Sequence, residues 1–357
     1  MADKSKRILQ IRDLEISFST ANGKVRAIRG IRFDLFQGET VAIVGESGSG
    51  KSVTVRAIMG ILAKNGTIDA GSILFYDRKY DKEYEITKMT DREIRHTLAG
   101  KRIGMIFQDP MTSLDPTMTI GRQITESMRY HFKTPKKEAD AKAIELLRLV
   151  GFDHPEKRMK EYPSELSGGQ RQRVVIAIAL AMEPDILICD EPTTALDVTV
   201  QSKILDLIKH IQKLKNLSVI YITHDLGVVA KVADYVAVMY AGRIVEKGSV
   251  EEIFYDPKHP YTWGLLMSLP DLSGREEELF SIPGNPINLA LPFTGDPFAP
   301  RNPYALVKDF SEEPPLYDLG GKHRVASFLM DPNAPEVHPP KALEERIRKM
   351  REEANRG

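Results

Sequence analysis

The sequence predicts an α/β protein with a mostly parallel central sheet, a helical insertion and an irregular C-terminal region. Residues 41–44 form a continuous apolar stretch typical of a buried parallel strand, and a glycine-rich turn and a helical pattern over 51–62 follow it. Residues 118–183 have a helical pattern. From 186 to 240, strand and helix patterns alternate, which favours a parallel sheet with helices on its faces.

The elements can be assigned in chain order from their periodicity and turn residues. The predicted strands cover 8–11, 14–18, 31–35, 41–44, 103–107, 186–190, 218–222 and 235–240. The predicted helices cover 51–62, 118–183 with breaks near 134–135 and 162–163, 198–214 and 225–232. Turns are expected at Asn22-Gly23 and Gln37-Gly38, and the Tyr- and Lys-rich stretch 76–96 predicts surface turns and a short helix. Residues 243–255 predict a short strand and a helix.

Length and composition bound the class of protein. The chain has 357 residues, which favours about two domains, and it is 42% hydrophobic. Lys and Arg together number 50, as do Asp and Glu, so the global basic excess of a protein that coats nucleic acid is excluded. The single cysteine, Cys189, cannot form an internal disulfide, a four-thiolate zinc site or a four-thiolate iron–sulfur cluster.

The sequence predicts a soluble chain that does not cross a membrane by itself. Its longest purely apolar run covers the nine residues 174–182, well short of the roughly 20 that a membrane helix needs. Composition changes near 256, where prolines become frequent. We therefore predict a unit over 1–255, an irregular C-terminal domain over 256–340, and a charged, solvated helical tail over 341–357.

The glycine-rich turn matches the phosphate-loop pattern G-x-x-x-x-G-K-[ST], known as Walker A. Its residues are Gly45, Glu46, Ser47, Gly48, Ser49, Gly50, Lys51 and Ser52. Glycines let the backbone curl so that successive N–H groups point at phosphate oxygens, and the following helix adds its positive end. Lys51 is expected to reach the β- and γ-phosphates of a nucleotide, and the Ser52 hydroxyl to bind Mg²⁺.

A second acidic motif follows the strand at 186–190. The strand ends in Asp190 and Glu191, which resembles the Walker B motif. Asp190 is expected to join the Mg²⁺ shell, and Glu191 to polarise the attacking water as a general base. Cys189 is interpreted as a small core residue of the same strand.

The segment Leu166-Ser167-Gly168-Gly169-Gln170 narrows the family. It resembles the signature of ATP-binding cassette proteins. The resemblance implies a RecA-like parallel-sheet core, an N-terminal antiparallel β subdomain and a helical subdomain at about 110–183. It also implies that Ser167, Gly168, Gly169 and Gln170 close over the γ-phosphate held by a second cassette, so that hydrolysis needs two cassettes facing head to tail.

Further site residues follow from this resemblance, which covers 8–255. It implies that Phe18 stacks on adenine and that Gln108 contacts Mg²⁺ and the attacking water. Ala195-Leu196-Asp197 resembles the D-loop, which crosses the dimer interface, and His224 resembles the switch histidine at the γ-phosphate.

The region after 255 indicates one branch of the family. Segments 256–266, 282–284 and 298–301 look like the part that follows the cassette in peptide and nickel importers, and the whole chain is similar to the D-type ATPase subunits of oligopeptide permeases. The resemblance implies ATP and Mg²⁺ as ligands and a peripheral position on the cytoplasmic face of the cell membrane. Its implied partners are a second, F-type cassette, two membrane subunits that dock around 108–135, and an extracellular peptide-binding protein; nucleic acid is not expected.

Three alternatives stay open at this point. The cargo could be dipeptides, nickel or another small solute instead of oligopeptides. The chain could be a DNA-repair-type cassette, although such proteins separate their motifs by a long coiled coil, and no heptad run lies between Lys51 and Glu165. It could also be a regulatory cassette without turnover, which the presence of Glu191 and His224 argues against.

The cysteine count has a specific meaning within this family. Many related ATPases hold an iron–sulfur cluster with four cysteines after the cassette. The corresponding positions here are Asp296, Asn302, approximately Asp309, and Ser327. None is a thiol, so we expect no cluster of that ligation, as in the branch common among Gram-positive oligopeptide permeases.

Overall fold

The computed structural model describes residues 7–21, 23–194, 196–269, 280–291 and 293–354. Its strands are β1 (Arg7–Thr20), β2 (Gly23–Phe36), β3 (Thr40–Val44), β4 (Gly66–Asp77), β5 (Lys82–Glu85), β6 (Ile103–Ile106), β7 (Ile186–Asp190), β8 (Ser218–Thr223), β9 (Tyr235–Tyr240), β10 (Arg243–Ser249), β11 (Tyr317–Asp318) and β12 (Arg324–Val325). Its helices are α1 (Lys51–Ile58), α2 (Asp91–Thr97), α3 (Pro110–Ser113), α4 (Ile120–Phe132), α5 (Lys136–Leu149), α6 (Pro155–Arg158), α7 (Gly168–Leu180), α8 (Val198–Lys215), α9 (Leu226–Val232), α10 (Val250–Tyr255), α11 (Pro260–Met267) and α12 (Lys341–Ala354). Short 3₁₀ turns cover Ile86–Lys88, Pro163–Glu165, Ala299–Arg301, Val307–Phe310 and Phe328–Met330.

The larger sheet has the strand order β11-β12-β10-β9-β3-β8-β7-β6. Strands β6, β7, β8, β3 and β9 run parallel, whereas β10, β12 and β11 are antiparallel additions at one side. The carboxyl ends of the parallel strands therefore meet at one edge, which is where ligands bind in open α/β sheets. The predicted α/β fold with a mostly parallel sheet is confirmed.

The parallel strands are buried on both faces. In β3, Ala42 and Val44 point into a core that contains α7 and α8, while Val41 and Ile43 point into a second core shared with β1 and β2. The apolar run 174–182 begins in α7 and contributes to the first core. Among the described residues, no helix has the length and apolar character needed to span a membrane.

The N-terminal sheet differs from the predicted elements. The predicted strands 8–11 and 14–18 belong to one strand, β1, which bulges at Asp13 with a φ of 48°. The order of this antiparallel sheet is β2-β1-β4-β5. The prediction of turns alone before the short helix in 76–96 is wrong, because β4 ends within that stretch and β5 pairs with it. Much of β4 and β5 is exposed, so their apolar signal is weak.

The C-terminal region continues the larger sheet. Residues Glu246 and Lys247 of β10 pair with Val325 and Arg324 of β12. The buried Glu246 carboxylate accepts hydrogen bonds from the backbone N–H groups of Lys258 and His259, at 2.7 and 3.0 Å. Strand pairing and buried polar contacts thus cross the predicted boundary at 255.

Helix α12 is present as predicted, but one of its faces is buried, so the expectation of a solvated helix is wrong there. Leu343 is fully buried and Ile347 nearly so. Arg346 donates to the carbonyl oxygens of Leu266 and Met267 at the end of α11, at 2.9 and 2.8 Å. Leu343, Arg346 and Ile347 lie at three- and four-residue spacing on one face of α12, which packs on the rest of the chain. The many charged residues around them obscure this pattern in the sequence.

Replacement of Leu343 by Ala should lower the free energy of unfolding by about 2–4 kcal/mol, because it leaves a cavity under α12. Urea unfolding followed by circular dichroism measures this. Glu345→Ala on the exposed face of the same helix is the control and should change stability by less than about 0.5 kcal/mol. Equal effects of the two variants would contradict the packing of α12.

The free energy of unfolding should also decrease when the pH is lowered, because of His259. Burial lowers the pKa of this histidine from 6.5 to about 3. Between these two values the unfolded chain binds a proton that the folded chain does not, so the free energy of unfolding decreases as pH falls through this window.

His259→Asn keeps a side-chain oxygen that can cap α11 but removes the titration. Unfolding free energies measured between about pH 4 and pH 7 should therefore depend less on pH in the variant. An unchanged pH dependence would show that His259 does not carry the effect.

Candidate active site

The phosphate loop joins β3 to α1, and its glycines are required by backbone geometry. Gly45, Gly48 and Gly50 have φ angles of 149°, 78° and 106°. A Cβ atom on Gly45 would lie 2.1 Å from the carbonyl oxygen of Met239, and one on Gly50 would lie 2.7 Å from Cδ1 of Ile28. The loop is therefore held against β9 and β2 at positions that only glycine fits.

Lys51 begins α1 and lies over the loop. Its Nζ donates to the carbonyl oxygens of Gly45 and Glu46, at 2.7 and 2.9 Å. Burial lowers the pKa of the Lys51 ammonium, and the carboxylates of Glu191, Asp190 and Glu46 act in the opposite direction. The lysine is thus a buried cation surrounded by acidic groups at the edge of the sheet.

Ser52 and Asp190 meet across the gap between α1 and β7. The Ser52 Oγ donates to Oδ1 of Asp190 at 3.0 Å. Burial raises the pKa of the Asp190 carboxyl, which the hydrogen bond from Ser52 partly offsets. A hydroxyl and a buried carboxylate side by side are hard oxygen ligands, so the pair fits Mg²⁺.

Three side chains converge on the carboxylate of Glu191. Gln108, after β6, donates from Nε2 at 3.1 Å, and Thr194 donates from Oγ1 at 3.1 Å, both to Oε2. Nδ1 of His224, after β8, lies 3.3 Å from Oε1. The backbone of Glu191 has a φ of 48°, a conformation that costs about 1–3 kcal/mol and often marks functional positions. The predicted residues Gln108, Glu191 and His224 are brought together, and sequence reasoning missed Thr194.

The predicted signature lies at the surface. Ser167 caps α7: its Oγ accepts from the Gln170 N–H at 3.4 Å, and the Gln170 side chain accepts from the Ser167 N–H at 3.0 Å. A Cβ atom on Gly169 would lie 2.7 Å from Cγ1 of Val200 in α8, whereas Gly168 is exposed. The capped helix start is thus exposed at Ser167 and Gly168.

The predicted D-loop also lies at the surface. Asp197 caps α8 by accepting from the Val200 N–H at 2.9 Å, and the neighbouring Val198 is 82% exposed. Ala195 lies outside the described residues. Phe18 lies in β1, paired with Val25 and Gly66, and its stacking on adenine stays a prediction.

The four residues expected at the cysteine positions are buried oxygen-bearing side chains. Each accepts from a nearby backbone N–H. The pairs are Asp296 with Phe298 at 3.0 Å, Asn302 with Tyr304 at 3.0 Å, Asp309 with Leu306 at 2.6 Å, and Ser327 with Leu329 at 3.3 Å. Burial raises the pKa of Asp296 to about 6.

Sequence reasoning also missed a contact between the C-terminal region and the phosphate loop. Arg301 makes a two-pronged ion pair with the Glu46 carboxylate, and the Tyr261 hydroxyl accepts from the Glu46 N–H at 2.8 Å. Arg301 and Tyr261 lie in segments that resemble those of peptide and nickel importers. Their residue types alone do not indicate that they contact Glu46.

Comparison with known proteins identifies relatives of the whole chain. Residues 28–194 match the family model described as "ABC transporter", and 245–308 match "Oligopeptide/dipeptide transporter, C-terminal region". The oligopeptide transport ATP-binding protein OppD of Bacillus subtilis is 56% identical over 346 residues, covering 96% of this chain and 95% of that protein. The dipeptide transport ATP-binding protein DppD of Lactococcus lactis is 51% identical, covering 94% of both.

Solved structures agree with the fold. A dimeric ATP-binding cassette in a post-hydrolysis state with ADP and phosphate is 24% identical, with a TM-score of 0.59, and covers 68% of this chain and 99% of its own. The cassette cbiO1 of Clostridium perfringens is 31% identical with the same TM-score, and covers 70% of this chain and 92% of its own.

Replacement of Glu191 by Gln should lower steady-state phosphate release from ATP by about 10²–10⁴-fold, because the amide cannot accept a proton from water. ATP binding should persist, since the phosphate loop is unaltered. Glu251→Gln, at an exposed carboxylate of α10, is the control and should leave turnover unchanged. Turnover by the Glu191 variant at the parental rate would refute its role as general base.

Proposed function

The chain belongs to the family of ABC transporter ATP-binding proteins of oligopeptide and dipeptide import, and from this membership we propose how its residues divide the work of ATP hydrolysis. The chain is an ATPase that powers peptide import. The observation that carries the assignment of its site is the convergence of Gln108, Thr194 and His224 on Glu191, next to the phosphate loop and the Ser52–Asp190 pair.

Each group at the edge of the sheet has a distinct task in this proposal. The backbone N–H groups of the phosphate loop, apart from that of Glu46, which donates to Tyr261, bind the phosphates together with the Lys51 ammonium. Ser52, Asp190 and Gln108 would hold Mg²⁺, which when bound neutralises charge on the β- and γ-phosphates. Glu191 accepts the proton of the attacking water, and its hydrogen bonds from Gln108 and Thr194 fix the carboxylate in place. His224 contacts the γ-phosphate.

We assign the signature and the D-loop to contacts with a second cassette. The backbone N–H groups of Gly168 and Gly169, at the start of α7, would bind the γ-phosphate held by the partner, together with Ser167 and Gln170. The exposure of Asp197 and of the apolar Val198 supports an interface at the D-loop. The proposed partner is an F-type homologue in a heterodimer.

The remaining partners are two membrane subunits and an extracellular peptide-binding protein. Exposed apolar side chains lie in the predicted docking region around 108–135. They include Met111, Tyr130 and Phe132, which are 59%, 64% and 55% exposed, and Phe107 lies directly before it. Docking there would hold the chain peripherally on the cytoplasmic face of the membrane.

Oligopeptides are the proposed cargo. Relatives named for oligopeptide and for dipeptide transport are both similar along nearly the whole chain, so dipeptides are the second candidate. The full-length similarity to peptide transport proteins gives no support to nickel import or to a DNA-repair-type cassette. We propose no iron–sulfur cluster, because oxygen-bearing side chains stand at the four cysteine positions.

Replacement of Lys51 by Ala should reduce peptide uptake to background, because the ammonium that binds the β- and γ-phosphates is lost. Uptake of labelled di-, tri- and hexapeptides into cells that carry the complete transporter measures this. Lys64→Ala, at an exposed lysine, serves as the control and should transport normally. Uptake at the parental rate with the Lys51 variant would contradict the proposed coupling, and uptake of dipeptides alone would reassign the cargo.

A further inference from the structure

Glu46, the second residue of the phosphate loop, is held by two residues of the C-terminal region. Arg301 donates from Nη1 to Oε2 at 2.6 Å and from Nη2 to Oε1 at 3.0 Å. The Tyr261 hydroxyl accepts from the backbone N–H of the same residue at 2.8 Å. Both the side chain and the backbone of one loop residue are therefore fixed from outside the loop.

The guanidinium of Arg301 is held rigidly in place. Its side chain is only 4% exposed, and its Nε donates to the carbonyl oxygen of Pro283 at 2.8 Å. The rings of Tyr240 and Phe298 lie 5.7 and 6.0 Å from its Cζ. Hydrogen bonds and aromatic faces thus fix a planar cation whose fork matches one carboxylate.

Tyr261 is equally constrained. It is fully buried, and its ring packs at 4.8 Å from Tyr240 and 5.3 Å from Phe298, measured between ring centroids. The same two aromatic residues therefore support both contacts to Glu46. Residues 286, 287 and 289 line a small cavity with loop residues 46–49, so this part of the C-terminal region lies directly against the loop.

The negative charge of the Glu46 carboxylate opposes the binding of phosphates. It belongs to a loop that must receive the phosphates of ATP, and a free carboxylate there would repel them. A buried guanidinium cancels that charge without occupying the loop interior.

We propose that Arg301 and Tyr261 are positioning residues that hold the phosphate loop in its binding shape and neutralise Glu46, so that the C-terminal region sets the affinity of the cassette for the triphosphate. This proposal rests on the proposed assignment of residues 45–52 as the phosphate-binding loop. In this proposal both residues act through their contacts with Glu46 and not by binding the phosphates themselves.

The two contributions can be separated by substitution in the full-length chain. Arg301→Gln removes the cation and leaves Glu46 charged, and should raise the dissociation constant for ATP about tenfold, equal to ~1.4 kcal/mol. Adding Glu46→Gln removes the repulsion and should recover most of that loss. Tyr261→Phe removes the acceptor for the Glu46 N–H without changing charge, and should raise the dissociation constant about threefold.

The electrostatic part has a signature that a merely structural role would not give. Its size should follow ligand charge, so Arg301→Gln should weaken ATP more than ADP and leave adenosine binding unchanged. Arg301→Lys, which keeps the charge but not the fork, should lie between Arg301→Gln and the parent. Binding is measured by isothermal titration, with thermal unfolding recorded for every variant.

Arg346→Gln is the matched control. Arg346 is another arginine of the C-terminal region and is half-buried, but it donates to carbonyl oxygens at the end of α11 and to no part of the loop. It should lower thermal stability and leave nucleotide affinity unchanged.

The outcomes separate the positioning role of Arg301 and Tyr261 from the assignment of residues 45–52 as the phosphate-binding loop. Parental ATP affinity in folded Arg301 variants, while Lys51→Ala loses binding, would overturn the positioning role and keep the phosphate loop. Retained ATP binding by Lys51→Ala would instead overturn the loop assignment itself. Equal losses with Arg301→Gln and Arg346→Gln, without recovery by Glu46→Gln, would show only a structural role and overturn the proposal.

Discussion

The parallel hydrogen-bond ladder through β7, β8 and β3 is the constraint on which the site depends. It pairs Asp190 with Ile222 and Val44 with Thr223, so the residues that follow these strands emerge side by side. The N–H of Glu191 continues the ladder by donating to the Ile222 carbonyl oxygen at 2.9 Å. Residues far apart in sequence thereby meet within hydrogen-bond distance, and the two buried cores hold the strands that carry them.

Much of this arrangement follows from short, local patterns. Asp190 ends a buried apolar strand, and the phosphate loop, Glu191 and His224 each directly follow one; parallel strands bring such positions to one edge. Thr194 was missed because a threonine in a turn gives no signal until the turn folds it back onto Glu191. Strands β4 and β5 were missed because exposed strands show little apolar alternation.

The largest gap between sequence and structure concerns long-range polar contacts. Glu46 and Arg301 are 255 positions apart in the sequence. A glutamate and an arginine at such a distance give no indication that they form an ion pair. The four oxygen-bearing side chains at 296, 302, 309 and 327 were identified by position, but their bonds to nearby N–H groups appear only in the structure. They hold local turns by hydrogen bonding, so this part of the chain has its own means of staying ordered.

The separation of Glu46 from Arg301 in the sequence also means that the ribosome synthesises Glu46 well before its partner. The phosphate loop leaves the ribosome long before the arginine that pairs with it, by about 10–50 s at 5–20 residues per second. During that interval the strands and helices of the cassette can form, but Glu46 has neither of its two partners from the C-terminal region. A nascent chain therefore acquires both contacts of Glu46 with the C-terminal region only after residue 301 has been translated.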